Sequence, residues 1–187
     1  MKTLQAVKPQ DTAMVAPEAA RILFNCATLL EMDGANTWRV AAYRNAGRVL
    51  LQLGYLAPRV VANDEALHAL GFGKRLSAKL RELFTTGRLA FYDDLVAQQP
   101  LPIARLLRVP GVGPKTALRL VNELGIQSPQ ALAAAAGRGE IHVVRGFGPR
   151  REALWASGQW GTHTADADTA VSNMTELAVV TDLPKAA

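Results

Sequence analysis

The sequence predicts an all-α fold, and three observations lead to it. Apolar residues recur at helical spacing along most of the 187 residues. No alternating run of β-branched residues is long enough to propose a sheet. Glycine and proline stand where helices typically begin and end. With 49% apolar and 20% charged residues, the composition is that of a globular chain long enough to bury a core.

Start and stop signals divide the chain into helices. Pro17 suits a first turn, Thr37 and Asp64 are expected N-caps, and Gly34 and Gly54 are expected to end helices. The predicted helices run from Pro17 to Gly34, from Thr37 to Gly54, from Asp64 to about Leu70, and over about 74–86, 91–98, 102–108, 114–124, 128–136 and 149–156.

The predicted domain organisation follows composition and charge. We expect a flexible N-terminus (1–16), a first helical domain (17–98), a second one (99–160) and a mobile acidic tail (161–187). The chain carries a net charge of +5, but residues 161–187 hold four acidic residues and one lysine, so residues 1–160 carry +8. That surplus either suits a polyanion such as nucleic acid or serves solubility alone.

Several classes of protein are not expected. No run of 18 apolar residues predicts a membrane span, and the N-terminus does not have the pattern of a signal peptide. The single Cys26 fits a reducing cytoplasm, the predicted location, with the nucleoid as the place of association. His68, His142 and His163 are too far apart in sequence to suggest a metal site, and no cofactor is expected.

A repeat with a Gly-apolar-Gly core occurs three times, its first glycines 40 and 35 residues apart. Each copy is expected to follow a short apolar helix-like stretch and to precede another helix. The copies are Leu70–Arg75 (LGFGKR), Pro110–Lys115 (PGVGPK) and Arg145–Arg150 (RGFGPR).

The repeat has the chemistry of a phosphate clamp. Glycines permit a tight turn and close approach of a ligand, and the helix that follows offers unpaired N–H groups and a positive dipole end. Pro114 and Pro149 fit first-turn positions, and a cation follows the second glycine by two residues in every copy. The predicted phosphate-binding residues of the repeats are Gly71, Gly73, Lys74 and Arg75; Gly111, Gly113, Lys115, Thr116 and Arg119; and Gly146, Gly148 and Arg150. The alternative is that the glycine turns serve packing, above all in the third copy, where Glu152 follows closely.

Several motifs agree, in order and spacing, with a known family. They are NTWRVAAYRNAGR (36–48), AKLRELFTTGRL (78–89), VPGVGPKTALRLVNELGI (109–126) and VRGFG (144–148). Over approximately residues 17–155 the chain resembles the N-terminal region of family-X DNA polymerases. The resemblance implies a small lyase domain followed by helix-hairpin-helix fingers, which grip the two sides of a gap or nick during base-excision repair.

The resemblance also implies site residues. Lys79 matches the family's lyase nucleophile, which forms a Schiff base with a 5′-deoxyribose phosphate without a metal. The family's 5′-phosphate pocket corresponds to Arg39, Tyr43 and Arg75, with Lys74 nearby. Arginine stands where the vertebrate polymerase has lysine, and Phe91 replaces another lysine. Arg75 lies four residues before Lys79, so like-charge repulsion favours the neutral, nucleophilic amine.

The sequence leaves three functions open. The first is sequence-independent binding of the DNA backbone at gaps, nicks or 5′-phosphate ends, and the second adds lyase activity. Against the second, Lys79 aligns with Arg119 and Leu154 of the other copies, which suggests a plain backbone contact. The third is a non-catalytic subunit that binds a protein partner, for instance through the tail. Polymerase activity is not expected, because Asp166 and Asp168 have no surrounding strand pattern or third carboxylate.

Overall fold

A computed structural model describes residues 14–158, and within this range every regular element is a helix. The predicted all-α class is therefore confirmed. The predicted acidic tail, Asp166 and Asp168 and most of the predicted flexible N-terminus lie outside the described residues. The helices are α1 (Ala16–Met32), α2 (Thr37–Leu53), a 3-10 turn (Gly54–Leu56), α3 (Ala57–Val61), α4 (Asp64–Ala69), α5 (Lys74–Thr86), α6 (Ala90–Ala97), α7 (Leu101–Leu106), α8 (Pro114–Leu124), α9 (Pro129–Gly137) and α10 (Pro149–Ala156).

Two helices are capped one residue earlier than the sequence predicts. Asn36 is the N-cap of α2, and its side chain accepts a hydrogen bond from the N–H of Trp38 at 2.8 Å. Asn63 caps α4 in the same way, so Thr37 and Asp64 are the first helical residues rather than caps. The prediction was wrong because each site offers two consecutive capping residues, and the cap is the one whose backbone stays outside the helix.

The segment after α2 holds helices that the sequence did not reveal. The 3-10 turn Gly54–Leu56 leads directly into α3, which has Pro58 in its first turn. Ala57 and Val61 are buried, so α3 is held by packing. A helix of five residues is too short to show a periodic pattern, and Gly54 reads as a stop signal.

Helix α1 organises the packing because it contacts α2, α6 and α8. It approaches α2 closely at Gly47, where a Cβ atom would lie 2.8 Å from the ring of Phe24. The buried apolar side chains form one continuous cluster from Met14 to Trp155, which joins the two predicted helical domains. Among the described helices, none is both long and apolar enough to cross a bilayer.

Candidate nucleic-acid interface

The three Gly-apolar-Gly turns have the same backbone geometry at their first glycine. The φ angles of Gly71, Gly111 and Gly146 are 79°, 78° and 94°, in the left-handed region that favours glycine. The apolar residue after each of these glycines is buried; these residues are Phe72, Val112 and Phe147. Each turn is thus anchored to the core by its central side chain while its backbone faces outward.

The second glycine of each turn is the N-cap of the next helix. Gly73, Gly113 and Gly148 have extended backbone, and α5, α8 and α10 begin at the following residue. Within residues 14–158, no side chain caps these helix starts. First-turn N–H groups and the positive end of the helix dipole are therefore available to an anion.

The third turn differs from the other two in what precedes it. The first and second turns follow helices α4 and α7, but residues 140–147 contain turns, bends and irregular backbone and no helix, so the expected helix-like stretch before the turn is wrong for this copy. The buried carboxylate of Glu152 organises this segment, because it accepts hydrogen bonds from the N–H groups of Ile141 at 2.7 Å and His142 at 3.2 Å. Its other oxygen lies 2.6 Å from His142 Nδ1. Burial favours the protonated acid, but these hydrogen bonds outweigh it and lower the pKa of Glu152.

Arg119, a predicted phosphate contact, makes intramolecular contacts. Its guanidinium forms a two-pronged ion pair with Glu123, at 2.6 and 2.9 Å, and donates to the carbonyl oxygen of Arg145 at 2.8 Å. It also lies 4.7 Å from the ring centroid of Phe147. The structure therefore uses Arg119 to connect the second and third turns, a contact across 26 residues that sequence spacing does not reveal.

The other predicted cations of these two turns face solvent. The side chain of Lys115 is 73% exposed, and its Nζ lies 3.9 Å from a carboxylate oxygen of Glu31. Glu31 is held more closely by Arg44, at 2.7 Å, and this hydrogen bond lowers the pKa of Glu31. Arg150 is exposed, and Thr116 is half-buried. Lys115 and Arg150 are thus accessible to a ligand at the starts of α8 and α10.

A pocket of about 720 Å³ lies between α2, α5 and α6. It brings together four predicted site residues that are up to 40 residues apart in sequence: Arg39, Tyr43, Arg75 and Lys79. They converge because Arg39 and Tyr43 lie one turn apart on α2, and Arg75 and Lys79 lie one turn apart on α5. We call this the cationic pocket.

Lys74, expected near this group, is not among the residues that line the cationic pocket. It lines a separate pocket of about 520 Å³ together with His68, Ser77 and Arg81. The reason is helical geometry, since Lys74 and Arg75 are adjacent on α5 and project about 100° apart.

The three cations of the cationic pocket form no ion pair with any residue that the structure describes. Within the described residues, no carboxylate lies within 4 Å of the charged groups of Arg39, Arg75 or Lys79. Glu82 lines the same pocket, but its Oε1 accepts a hydrogen bond from the N–H of Ala90, at 2.7 Å. Several arginines elsewhere are paired with acids: Arg21 with Glu18, Arg44 with Glu31, Arg81 with Asp64, Arg88 with Asp93, Arg119 with Glu123 and Arg138 with Glu140.

Phe91 forms the aromatic wall of the cationic pocket. Lys79 Nζ lies 4.5 Å and Arg39 Cζ lies 5.1 Å from its ring centroid. Tyr43 stacks on it, with 5.4 Å between centroids and 20° between planes. Burial raises the pKa of Tyr43 to about 12, against the opposing effect of Arg39. Sequence reasoning noted Phe91 only as a departure and did not identify Glu82, although Glu82 follows Lys79 at helical spacing.

Comparisons with known proteins agree with this architecture. Residues 14–89 match the family model described as "Helix-hairpin-helix domain", and residues 103–158 match "SAM-like Helix-hairpin-helix tandem". The chain is 28% identical over 132 residues to the "DNA polymerase/3'-5' exonuclease PolX" of Bacillus subtilis (strain 168), which covers 71% of this chain and 23% of that protein. The chain thus spans about a quarter of the length of this curated relative. Two segments of the chain are thus similar to helix-hairpin-helix domains, and the chain resembles the N-terminal region of a family-X DNA polymerase.

Proposed function

We propose that this chain binds the sugar-phosphate backbone of DNA, without reading its sequence, at gaps, nicks or ends that carry a 5′-phosphate. The cationic pocket supports this proposal most directly. Arg39, Arg75 and Lys79 converge there, and no carboxylate of residues 14–158 lies within 4 Å of their charged groups. A terminal phosphate is the DNA group with the most negative charge to offer.

The three helix-hairpin-helix turns are a second observation that supports DNA-backbone binding. Each presents backbone N–H groups at a helix start, and Lys115 and Arg150 are exposed beside two of them. Groups of this kind bind phosphate irrespective of the base, which favours a contact that positions DNA rather than one that reads sequence. The relative's name describes a DNA polymerase and exonuclease, so a role in DNA repair is part of this proposal.

The test compares binding to two DNA duplexes with a one-nucleotide gap, one with a 5′-phosphate at the gap and one with a 5′-hydroxyl. Fluorescence anisotropy should show tighter binding to the 5′-phosphate and a steep fall in affinity with salt. Arg75→Ala should reduce the phosphate preference about tenfold, the size expected for a lost charge-assisted contact. Arg59→Ala removes the same charge from α3 outside the pocket and is the matched control.

Two results would contradict the proposal. Equal affinity of the wild type for the two ends would exclude a 5′-phosphate site. No salt-dependent affinity for any DNA would exclude backbone binding and favour the interaction subunit.

The position of Lys79 favours a second candidate function, that of a 5′-deoxyribose-phosphate lyase. Its amine shares the cationic pocket with the groups proposed to bind the phosphate, and no carboxylate in the described part of the chain lies within 4 Å of it. In such a reaction the amine adds to the C1′ aldehyde and water leaves as the Schiff base forms. Loss of a C2′ proton then breaks the C3′–O bond, releasing DNA with a 5′-phosphate, and hydrolysis frees the sugar from the lysine.

Borohydride trapping tests the lyase. Wild-type protein on gapped DNA with a 5′-deoxyribose phosphate should give a covalent protein–DNA band, and Lys79→Ala should lose it. Lys74→Ala, on the same helix but facing the other pocket, should keep the band. A folded wild type that gives no band would exclude the lyase and leave the binding function intact.

A further inference from the structure

We propose that Phe91 is a positioning residue of the cationic pocket. Its ring holds the guanidinium of Arg39 and the amine of Lys79 through cation–π contacts, so that both face the bound anion with their charges intact. The orientation of these cations towards a bound anion rests on the function proposed above. The positioning of the cations in the free protein rests on the contacts of Phe91 alone.

The choice of an aromatic partner matters for an anion site. A carboxylate would hold a cation equally well, but it would neutralise the charge that the ligand needs. An aromatic face attracts a cation through its quadrupole and adds no net charge. Arginines such as Arg44, Arg88 and Arg138 are held by acids, whereas Arg39 and Lys79 share the ring of Phe91.

A stacked aromatic neighbour holds the ring, and a hydrogen bond from α5 anchors the start of the helix that carries it. Tyr43, which is only 5% exposed, stacks against it from α2. Glu82 of α5 binds the N–H of Ala90, the first residue of α6, and Phe91 is the next residue. The helix that carries Lys79 therefore also fixes the helix that carries the ring.

The experiment measures the free protein and the DNA complex with the same variants. Phe91→Leu and Phe91→Met fill the site without a ring, whereas Phe91→Tyr keeps the ring. In the free protein, 15N relaxation of the Arg39 Nε–H group should show a lower order parameter for the Leu and Met variants and a value close to wild type for Tyr. The preference for a 5′-phosphate over a 5′-hydroxyl should fall about three- to tenfold for Leu and Met and stay within about twofold for Tyr.

The Arg39 order parameter tests the positioning role of Phe91, and the 5′-phosphate preference tests the proposed function. An unchanged Arg39 order parameter in folded Leu and Met variants would overturn the positioning role, whatever the DNA result. A fall in that order parameter, with rescue by Tyr, would support the positioning role of Phe91. If the wild type at the same time showed no preference for a 5′-phosphate, that result would contradict the proposed function and not the positioning role. An equal loss with Tyr would show that the site needs the original packing rather than the ring, and would also overturn the proposal.

Discussion

At the residue scale, the two glycines of one turn have different reasons to be glycine. Gly71 has a φ of 79°, which an L-residue with a Cβ atom adopts only at a cost. Gly73 has a φ of −73°, which any residue adopts. A Cβ atom at either position would meet nothing within 4 Å, so conformation alone separates the two sites.

This difference gives a matched pair of substitutions. Gly71→Ala should lower the free energy of unfolding by about 1–2 kcal/mol, the cost of a left-handed backbone for an L-residue. Gly73→Ala should change it by only about 0.5 kcal/mol, because alanine is a poorer N-cap than glycine but adopts this φ freely. Urea unfolding of the two variants measures both values. Similar losses would mean that the Gly71 turn relaxes to a conformation that alanine accepts.

At the scale of elements, two side chains, Arg119 and Trp155, hold the second and third turns together. Arg119 of α8 reaches Arg145 and Phe147 of the third turn. In the opposite direction, Trp155 of α10 donates a hydrogen bond to the carbonyl oxygen of Pro110, at 3.1 Å. Because residues 140–147 contain no helix, these contacts and Glu152 supply the support that a preceding helix gives to the other two turns.

We therefore expect Arg119→Ala to loosen the third turn in the absence of DNA. Amide hydrogen exchange should become faster at Val144 and Phe147, whose N–H groups donate to the carbonyl oxygens of Ile141 and Val144 in the segment that leads into this turn. Arg150→Ala removes an exposed cation at the start of α10; it should leave exchange unchanged and weaken DNA binding instead. Unchanged exchange in Arg119→Ala, with a reduced salt dependence of binding, would assign Arg119 to DNA as the sequence first suggested.

At the scale of the whole molecule, local signals predicted the helices well and long-range contacts poorly. Gly71, Gly111 and Pro149 mark helix boundaries through backbone conformation, which depends on the residue itself. The proximity of Arg39 and Lys79 could be predicted only from the family resemblance, because it requires α2 and α5 to pack side by side. Nothing near Phe91 in sequence indicates its contact with Tyr43, and nothing near Arg119 indicates its contact with Arg145, because these partners meet only when distant segments pack.

The buried side chain of Asn25 on α1 lies between α6 and the start of α8. Its Nδ2 lies 3.4 Å from the hydroxyl of Tyr92, the neighbour of Phe91 on α6. Its Oδ1 lies 3.2 Å from where a Cβ atom at Gly113 would be, at the start of α8. One buried side chain therefore contacts both the helix that carries Phe91 and the start of α8. Under the proposed function, a terminal phosphate and a second point on the DNA backbone would therefore be bound by parts of the molecule that meet at this one side chain.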